Sequence, residues 1–400
     1  MTKPTLLPSH IEQEIKQLAN QQNQPLCAYL YDLNALEQHI KQMRHVLPKN
    51  VELFYAAKAN PSAPILRTLA PYVDGFEAAS GGELSHLQQQ LLNKPLIFGG
   101  PGKMPSELEQ AIQLDVDAIH VESITELQRI GALTKKLNRP ASIFLRMNID
   151  IGDITLSKLA MGGKPTPFGF DEAELDNAIM HLRDFPLIEL KGFHFHLMSH
   201  QLDVGRHLAL VQRYFQVVKQ WKEQYSLEDL IINLGGGMGI NYQDPSRHFP
   251  WIEFCDKLEF LIAKEHMQDW TLRFECGRYI SAPCGYYVME VLDIKQNLGE
   301  NFVIARGGTH HFRTPAAQSH DHPFAVIHNN QHSTISNPIH HTTANLVGQL
   351  CTPKDVLARN QSIEYIDIGD YLVFTLAGAY AWNISHQNFL MHEPPIFHYF

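Results

Sequence analysis

The run Val51-Glu-Leu-Phe-Tyr-Ala-Ala57 is apolar almost throughout and breaks off at Lys58-Ala-Asn-Pro61. Such a run reads as a buried strand, and the proline that follows stops it, because proline has no N–H with which to continue a ladder. Lys58 leaves the apolar strand end, where its ammonium needs water or a partner. Two readings are open from this stretch alone. Lys58 caps the strand and points into solvent, or it has a lowered pKa and reacts as an amine to form a Schiff base.

Working outward, the same kind of run recurs at 75–80, 95–100, 118–123, 142–148, 190–197, 230–236 and 271–276. With 51–57 that makes eight. Helical patterns lie between them, for instance over 105–114, 123–137, 171–183, 204–224 and 251–267. Strands alternating regularly with helices predict an α/β fold whose core is a (β/α)8 TIM barrel. Such barrels carry their sites at the C-terminal ends of the strands. The polar residues at those ends are Lys58, Ser80, Glu122, Arg146 with Asn148, His196, Gly235 to Gly237, and Glu275 with Arg278. Their convergence on one rim favours the reactive reading of Lys58.

After Arg278 the rhythm changes. From about 284 the chain is β-rich, with Gly285–Lys295, Phe302–Ala305 and Gly369–Ala377 as its clearest runs, which predicts a C-terminal all-β domain, a small barrel or sandwich. Cys27-Ala-Tyr-Leu-Tyr31 is a short strand suited to join it. Asp32 reads as the N-cap of a helix with Leu36, His39, Ile40 and Met43 on its apolar stripe. The expected organisation is residues 1–45 as a strand and helix added to the β domain, 46–283 as the barrel, and 284–400 as the β domain.

The bulk composition is globular, with 44% hydrophobic and 18% charged residues among 400. A net charge of −10 argues against a nucleic-acid partner. Five scattered cysteines without a CxxC pair indicate neither a disulfide framework nor a zinc ribbon. The start lacks the apolar core of a signal peptide and no run is long enough to span a membrane, so the expectation is a cytoplasmic protein with no membrane partner. Histidine is abundant, at 23, yet no pair stands in an HxxxH or HExxH pattern beside an acidic ligand, and no dedicated metal site is expected.

The strand-end residues suggest a chemistry. Asn233-Leu-Gly-Gly-Gly-Met-Gly239 follows an apolar strand, and its glycines would let backbone N–H groups close on a phosphate. The spacing is neither a P-loop nor GxGxxG. A phosphate-bearing aldehyde, pyridoxal 5'-phosphate, suits a lysine beside such a loop. Glu275 would face the pyridine nitrogen and keep it protonated, which favours decarboxylation. Gly277 and Arg278 suit the phosphate. His194-Phe-His196 puts both imidazoles on one side of a strand, with His196, nearer the end, as the ring that stacks on the cofactor. Cys351 offers a thiol to protonate the carbon from which carbon dioxide leaves. Tyr380 offers a phenol to the phosphate.

These segments together resemble the fold-type III pyridoxal-phosphate decarboxylases that act on ornithine, arginine and diaminopimelate. The resemblance runs through Tyr55–Asn60, Ser80–Leu84, His194–His196, Gly235–Gly239, Glu275–Arg278, Cys351 with Asp355, and Gly378–Tyr380, in the family's order. It implies that Lys58 carries the cofactor as a Schiff base and that Cys351 and Asp355 enter the neighbouring subunit's site, so that the enzyme is a homodimer with shared active sites. Two departures bear on the substrate. Methionine at 198 stands where the family commonly has glycine. Thr352 stands where diaminopimelate decarboxylases carry a glutamate for the distal amine. The segments Arg306–Pro315 and Ser319–His322 are instead rich in groups that receive carboxylates.

A narrower resemblance, through Ile97–Lys103, Ile119–Ser123, Arg306–Thr309 and Val347–Val356, is to the decarboxylases of staphyloferrin B-type siderophore pathways. It implies a carboxylate-rich amino-acid conjugate as substrate, a citryl-diaminopropionate decarboxylated to citryl-ethylenediamine. Asp355, Arg313, His310 and Ser199 are then the substrate-binding candidates. A diaminopimelate decarboxylase and a catalytically inactive regulatory homologue are the competing expectations.

Overall fold

The computed structural model describes residues 7–90, 92–152, 162–329 and 336–400. The chain divides into two compact units. One holds Glu37–Gly239 and Phe249–Ile280, and the other the residues up to Leu36 with Ile240–His248 and Ser281–Phe400.

The first unit is the barrel. All eight expected strands form: Val51–Ala56, Gly75–Ala78, Leu96–Phe98, Ala118–Val121, Ala141–Asn148, Ile188–His194, Ile231–Asn233 and Thr271–Cys276. Each pairs in parallel with its neighbours, and Thr271–Cys276 closes the ring on Val51–Ala56. Helices such as Pro105–Gln113, Ile124–Leu137, Val204–Tyr225 and Trp251–Lys264 lie between strands. A two-residue strand, Phe170–Asp171, also pairs with the end of Ala141–Asn148, which the sequence pattern did not anticipate.

Local chemistry sets the strand-to-helix turns. Ser80 and Ser123 each accept a hydrogen bond from the backbone N–H three residues on, at 3.1 and 3.2 Å. Each thereby caps the helix that follows its strand. The lower part of the barrel is locked by Arg273, whose guanidinium donates to Glu52 and Asp117, both at 2.7 Å. The same group lies 4.2 Å from the centre of the Phe54 ring, a cation–π contact.

The second unit is a mostly antiparallel sheet built on the long strand Gly285–Asn297. Cys27–Tyr31 pairs antiparallel with it, so the N-terminal strand joins the β unit as expected. The hairpin to Glu300–Ala305 turns through Leu298 and Gly299, both at positive φ, as a two-residue hairpin turn requires. The helix Ser9–Ala19 buries Ile11, Ile15 and Leu18 in a core with Leu26, Ala28, Val288 and Val373. Among the described residues no helix is long and apolar enough to cross a membrane.

Candidate active site

The strand Val51–Ala56 runs into a single 3-10 turn, Ala57–Ala59, which lifts Lys58 off the strand end. The Lys58 side chain is 40% exposed, and its ammonium donates to both oxygens of Glu77, at 3.0 and 2.9 Å. Glu77 sits on the next strand, opposite Ala56 in the register. Burial pushes the Glu77 carboxyl upward, Lys58 pulls it back, and the charge of Glu275 raises it further.

Glu275 is the contrasting carboxylate. Burial acts to raise it as well, but His120, Lys58 and the amide of Asn233 outweigh burial and hold it below the usual range. The Asn233 amide donates to Glu275 Oε1 at 2.6 Å. Two imidazoles border the same carboxylate: His120 Nε2 lies 3.3 Å from Oε1, and His194 Nε2 lies 3.5 Å from Oε2. The His120 and His194 rings stack with centroids 3.9 Å apart and planes 11° apart. Burial holds His120, His194 and His196 well below the ordinary histidine value, so all three are neutral at pH 7.

His120, His194 and Glu275 are also close enough together to be considered as metal ligands. The ring geometry does not suit that role. Imidazole lone pairs lie in the ring planes, and an ion midway between rings stacked at 3.9 Å would sit up to about 2 Å out of each plane. A zinc–nitrogen bond is only about 2.0–2.1 Å long. The group reads as support for a carboxylate.

His196 stands just past the end of the strand Ile188–His194, half-buried, its ring within 13° of the His194 plane. Gly236 N–H donates to His196 Nδ1 at 3.1 Å, which places the remaining proton on Nε2. Phe195 points the other way and stacks on Tyr214, as strand alternation requires.

The glycine loop is tight. A Cβ on Gly235 would fall 2.3 Å from the Phe195 carbonyl oxygen, and one on Gly236 2.3 Å from that of Glu275. Gly235 and Gly237 both have positive φ. Gly235 N–H is already bound to Asn233 Oδ1, at 3.0 Å. Gly235 and Gly236, expected as phosphate donors, therefore spend their N–H groups inward and supply close approach instead. A Cβ on Gly277 would lie 2.9 Å from Ala59 Cβ, so the turn that carries Lys58 and the turn before Arg278 are in contact.

A second polar network supports the rim. Arg146 donates to Glu122 at 2.7 Å, and Gly169 N–H binds the other Glu122 oxygen at 3.0 Å. Lys103 is buried and fully satisfied, with the Gly100 and His120 carbonyls at 2.6 Å and Glu126 at 2.7 Å.

In the β unit, Cys351 is exposed. Asp355 is buried, wedged between Gly308 and Gly348. Its oxygens accept from Thr309 N–H at 2.6 Å, the Thr309 hydroxyl at 2.8 Å and Leu350 N–H at 2.8 Å. The carboxylate expected to meet substrate is thus engaged inside its own unit, where it fixes the loop that carries Cys351. His310, the other substrate candidate of this unit, is fully buried between His311 and His392, at 3.8 and 5.2 Å between ring centres. Arg313 is exposed, Tyr380 is half-buried, and the Thr314 hydroxyl donates to the Tyr380 carbonyl. Ser199, in the barrel unit, is half-buried.

Residues 33–282 match the family model of the pyridoxal-dependent decarboxylases, pyridoxal binding domain. The chain belongs to this family. Among its relatives is the 2-[(L-alanin-3-ylcarbamoyl)methyl]-2-hydroxybutanedioate decarboxylase of Staphylococcus aureus, 44% identical over 97% of this chain and 98% of that protein. A diaminopimelate decarboxylase of Campylobacter jejuni is 26% identical over 93% of this chain and 90% of its own length. Of solved structures, a Helicobacter pylori diaminopimelate decarboxylase complexed with L-lysine superposes with a TM-score of 0.83 at 25% identity, covering 96% of this chain and 94% of that one.

As a pyridoxal-dependent decarboxylase the chain uses pyridoxal 5'-phosphate, and its residues fit that group. The rim offers an amine at a strand end, a loop where only glycine leaves room, a neutral imidazole and a buried carboxylate held charged. The sequence reading of this decarboxylase missed three residues of the site: Glu77, His120 and Asn233. Each is a polar residue at or next to the end of an otherwise apolar strand, and a charge within Gly75-Phe-Glu-Ala78 was the available signal.

Proposed function

We propose that this decarboxylase removes the α-carboxylate from the amino-acid end of a diaminopropionate joined by an amide to a hydroxydicarboxylate, a citryl conjugate, leaving the aminoethyl amide. The observation that carries this reading is the 44% identity, end to end, with the Staphylococcus aureus decarboxylase whose name states that chemistry. Diaminopimelate decarboxylases stand much further off, at 26% in Campylobacter jejuni. Thr352 in place of an acidic residue agrees, because the far end of such a substrate is anionic.

Lys58 would hold the cofactor covalently, and Glu77 receives the lysine ammonium when that link is absent. Glu275 would keep the proton on the ring nitrogen, and His196 would lie against the ring. Gly237, Gly277, Arg278 and Tyr380 hold the phosphate, with Gly235 and Gly236 giving it room. When bound, pyridoxal phosphate supplies a sink for the electron pair that remains as carbon dioxide leaves. The exposed Cys351 thiol would supply the proton that carbon takes up. Arg313, exposed where His310 is buried, receives a distal carboxylate as a charge-assisted pair, and Ser199 lines the near end. The working form is a cytoplasmic homodimer in which the Cys351 loop, braced by Asp355, completes the other copy's site.

Carbon dioxide release from the citryl-diaminopropionate conjugate, free diaminopropionate, ornithine and meso-diaminopimelate tests the substrate. The conjugate should exceed each of the others by at least about 100-fold in kcat/KM, the worth of roughly 2.7 kcal/mol of added transition-state binding. Efficient conversion of meso-diaminopimelate to lysine would overturn the assignment.

A further inference from the structure

His120 has no role in the chemistry described above, yet it touches the residue on which that chemistry depends. It lies within the strand Ala118–Val121, is 1% exposed, and has its Nε2 3.3 Å from Glu275 Oε1. The Asn233 amide nitrogen lies 3.4 Å from the same Nε2 and 2.6 Å from the same oxygen. A bare Nε2 lone pair 3.3 Å from a carboxylate oxygen would be repelled by it, so the tautomer of a neutral His120 that suits this position carries its proton on Nε2, on the side of Oε1. The imidazole is fixed on three sides. His194 stacks on one face at 3.9 Å, the Phe144 ring meets it edge-on at 5.7 Å, and Lys103 holds its backbone carbonyl at 2.6 Å. Gly99 leaves room for the ring, since a Cβ there would come within 3.3 Å of Nδ1.

We propose that His120 is a positioning residue that, with Asn233, clamps Glu275 Oε1 and so aims the other carboxylate oxygen, Oε2, at the ring nitrogen of the cofactor. The proposal rests on the reading of Glu275 as the partner of that nitrogen. A rotating carboxylate would share its charge between the ring and the barrel wall. Two donors on one oxygen remove that freedom before the cofactor arrives. The neutrality of His120 serves the same end, because an imidazolium there would compete with the ring for the negative charge. His194 does not duplicate the clamp. Its Nε2 is 3.5 Å from Oε2, and neither of its ring nitrogens has a hydrogen-bond partner among the described residues.

The test is the 15N resonance of the ring nitrogen in protein loaded with 15N-labelled pyridoxal phosphate, alongside kcat and KM. The native protein should give the protonated position. His120→Leu should move the resonance toward the deprotonated position and lower kcat about tenfold with KM little changed, the loss of about 1.4 kcal/mol of transition-state stabilisation. His120→Gln, whose amide N–H reaches the same oxygen, should restore both. His120→Asn, shorter and smaller, should behave as His120→Leu and serves if the leucine variant does not fold. Glu275→Gln separates the two layers of the argument. If it shifts the resonance while His120→Leu and His120→Asn leave it at the native position, the clamp is refuted and the reading of Glu275 stands. If Glu275→Gln does not shift it either, the reading of Glu275 fails and takes the clamp with it.

Discussion

Two lysines at the strand ends of the same barrel show what separates a structural cation from a reactive one. Lys103 is 1% exposed and saturated: two carbonyls and one carboxylate take its three protons. Lys58 is 40% exposed and donates to Glu77, itself pushed upward by burial. Burying an ammonium is tolerable when every proton is satisfied and a charge opposes it. Lys103 meets that condition and gains rigidity, since the same contacts tie together the turn at Gly100 and the strand that carries His120. Lys58 keeps one side open to water, which leaves the amine available for exchange.

The comparison can be broken by removing each cation. Lys58→Ala should abolish decarboxylation, by at least about 1000-fold. Its cost in stability should be the smaller of the two, about 1–2 kcal/mol, because the space vacated by the half-exposed lysine admits water to the buried Glu77 carboxylate. Lys103→Met should do the reverse in emphasis. It leaves Glu126 buried and unopposed, a loss of about 3–5 kcal/mol in urea unfolding. Equal stability losses in the two variants would erase the distinction.

A smaller effect sharpens the same contrast between buried neutral and exposed charged groups. His207 is enclosed by Phe249, Phe254 and Phe274, with ring centres 5.0–6.3 Å away, and burial lowers its pKa to about 4. Between that value and the ordinary value near 6.5, the unfolded chain binds a proton that the folded chain refuses. Stability from this residue is therefore whole above about pH 6.5. It falls as pH drops, by up to about 1.4 kcal/mol per unit, and levels off below about pH 4. His207→Leu should reduce the slope of unfolding free energy between pH 6 and 5 by the share of one proton. An unchanged slope would mean that the ring is protonated in the folded protein.

The strands of the barrel were legible because their signal is local: an apolar run, a turn residue, a helical period. Lys58, His196, Glu275 and the glycine loop drew notice because each stands near or just beyond the end of an apolar run. Glu77 and His120 stand next to last in their strands and Asn233 ends its own, and whether such a residue faces the site depends on register and strand tilt, which one sequence does not state. Asp355 illustrates the opposite difficulty. Its residue type and spacing suggested a substrate contact, while the two glycines that enclose its carboxylate, Gly308 and Gly348, lie 47 and 7 positions away in the chain. The extra strand Phe170–Asp171 is too short to carry any pattern.

The central claim is that Lys58, and not the better-buried Lys103, carries the cofactor. Reduction of the holoenzyme with borohydride, followed by digestion and mass spectrometry, reads this directly. The pyridoxyl mass should appear on the peptide containing Lys58 and vanish in Lys58→Ala. A pyridoxyl group on Lys103 or any other lysine, with Lys58 unmodified, would contradict the account.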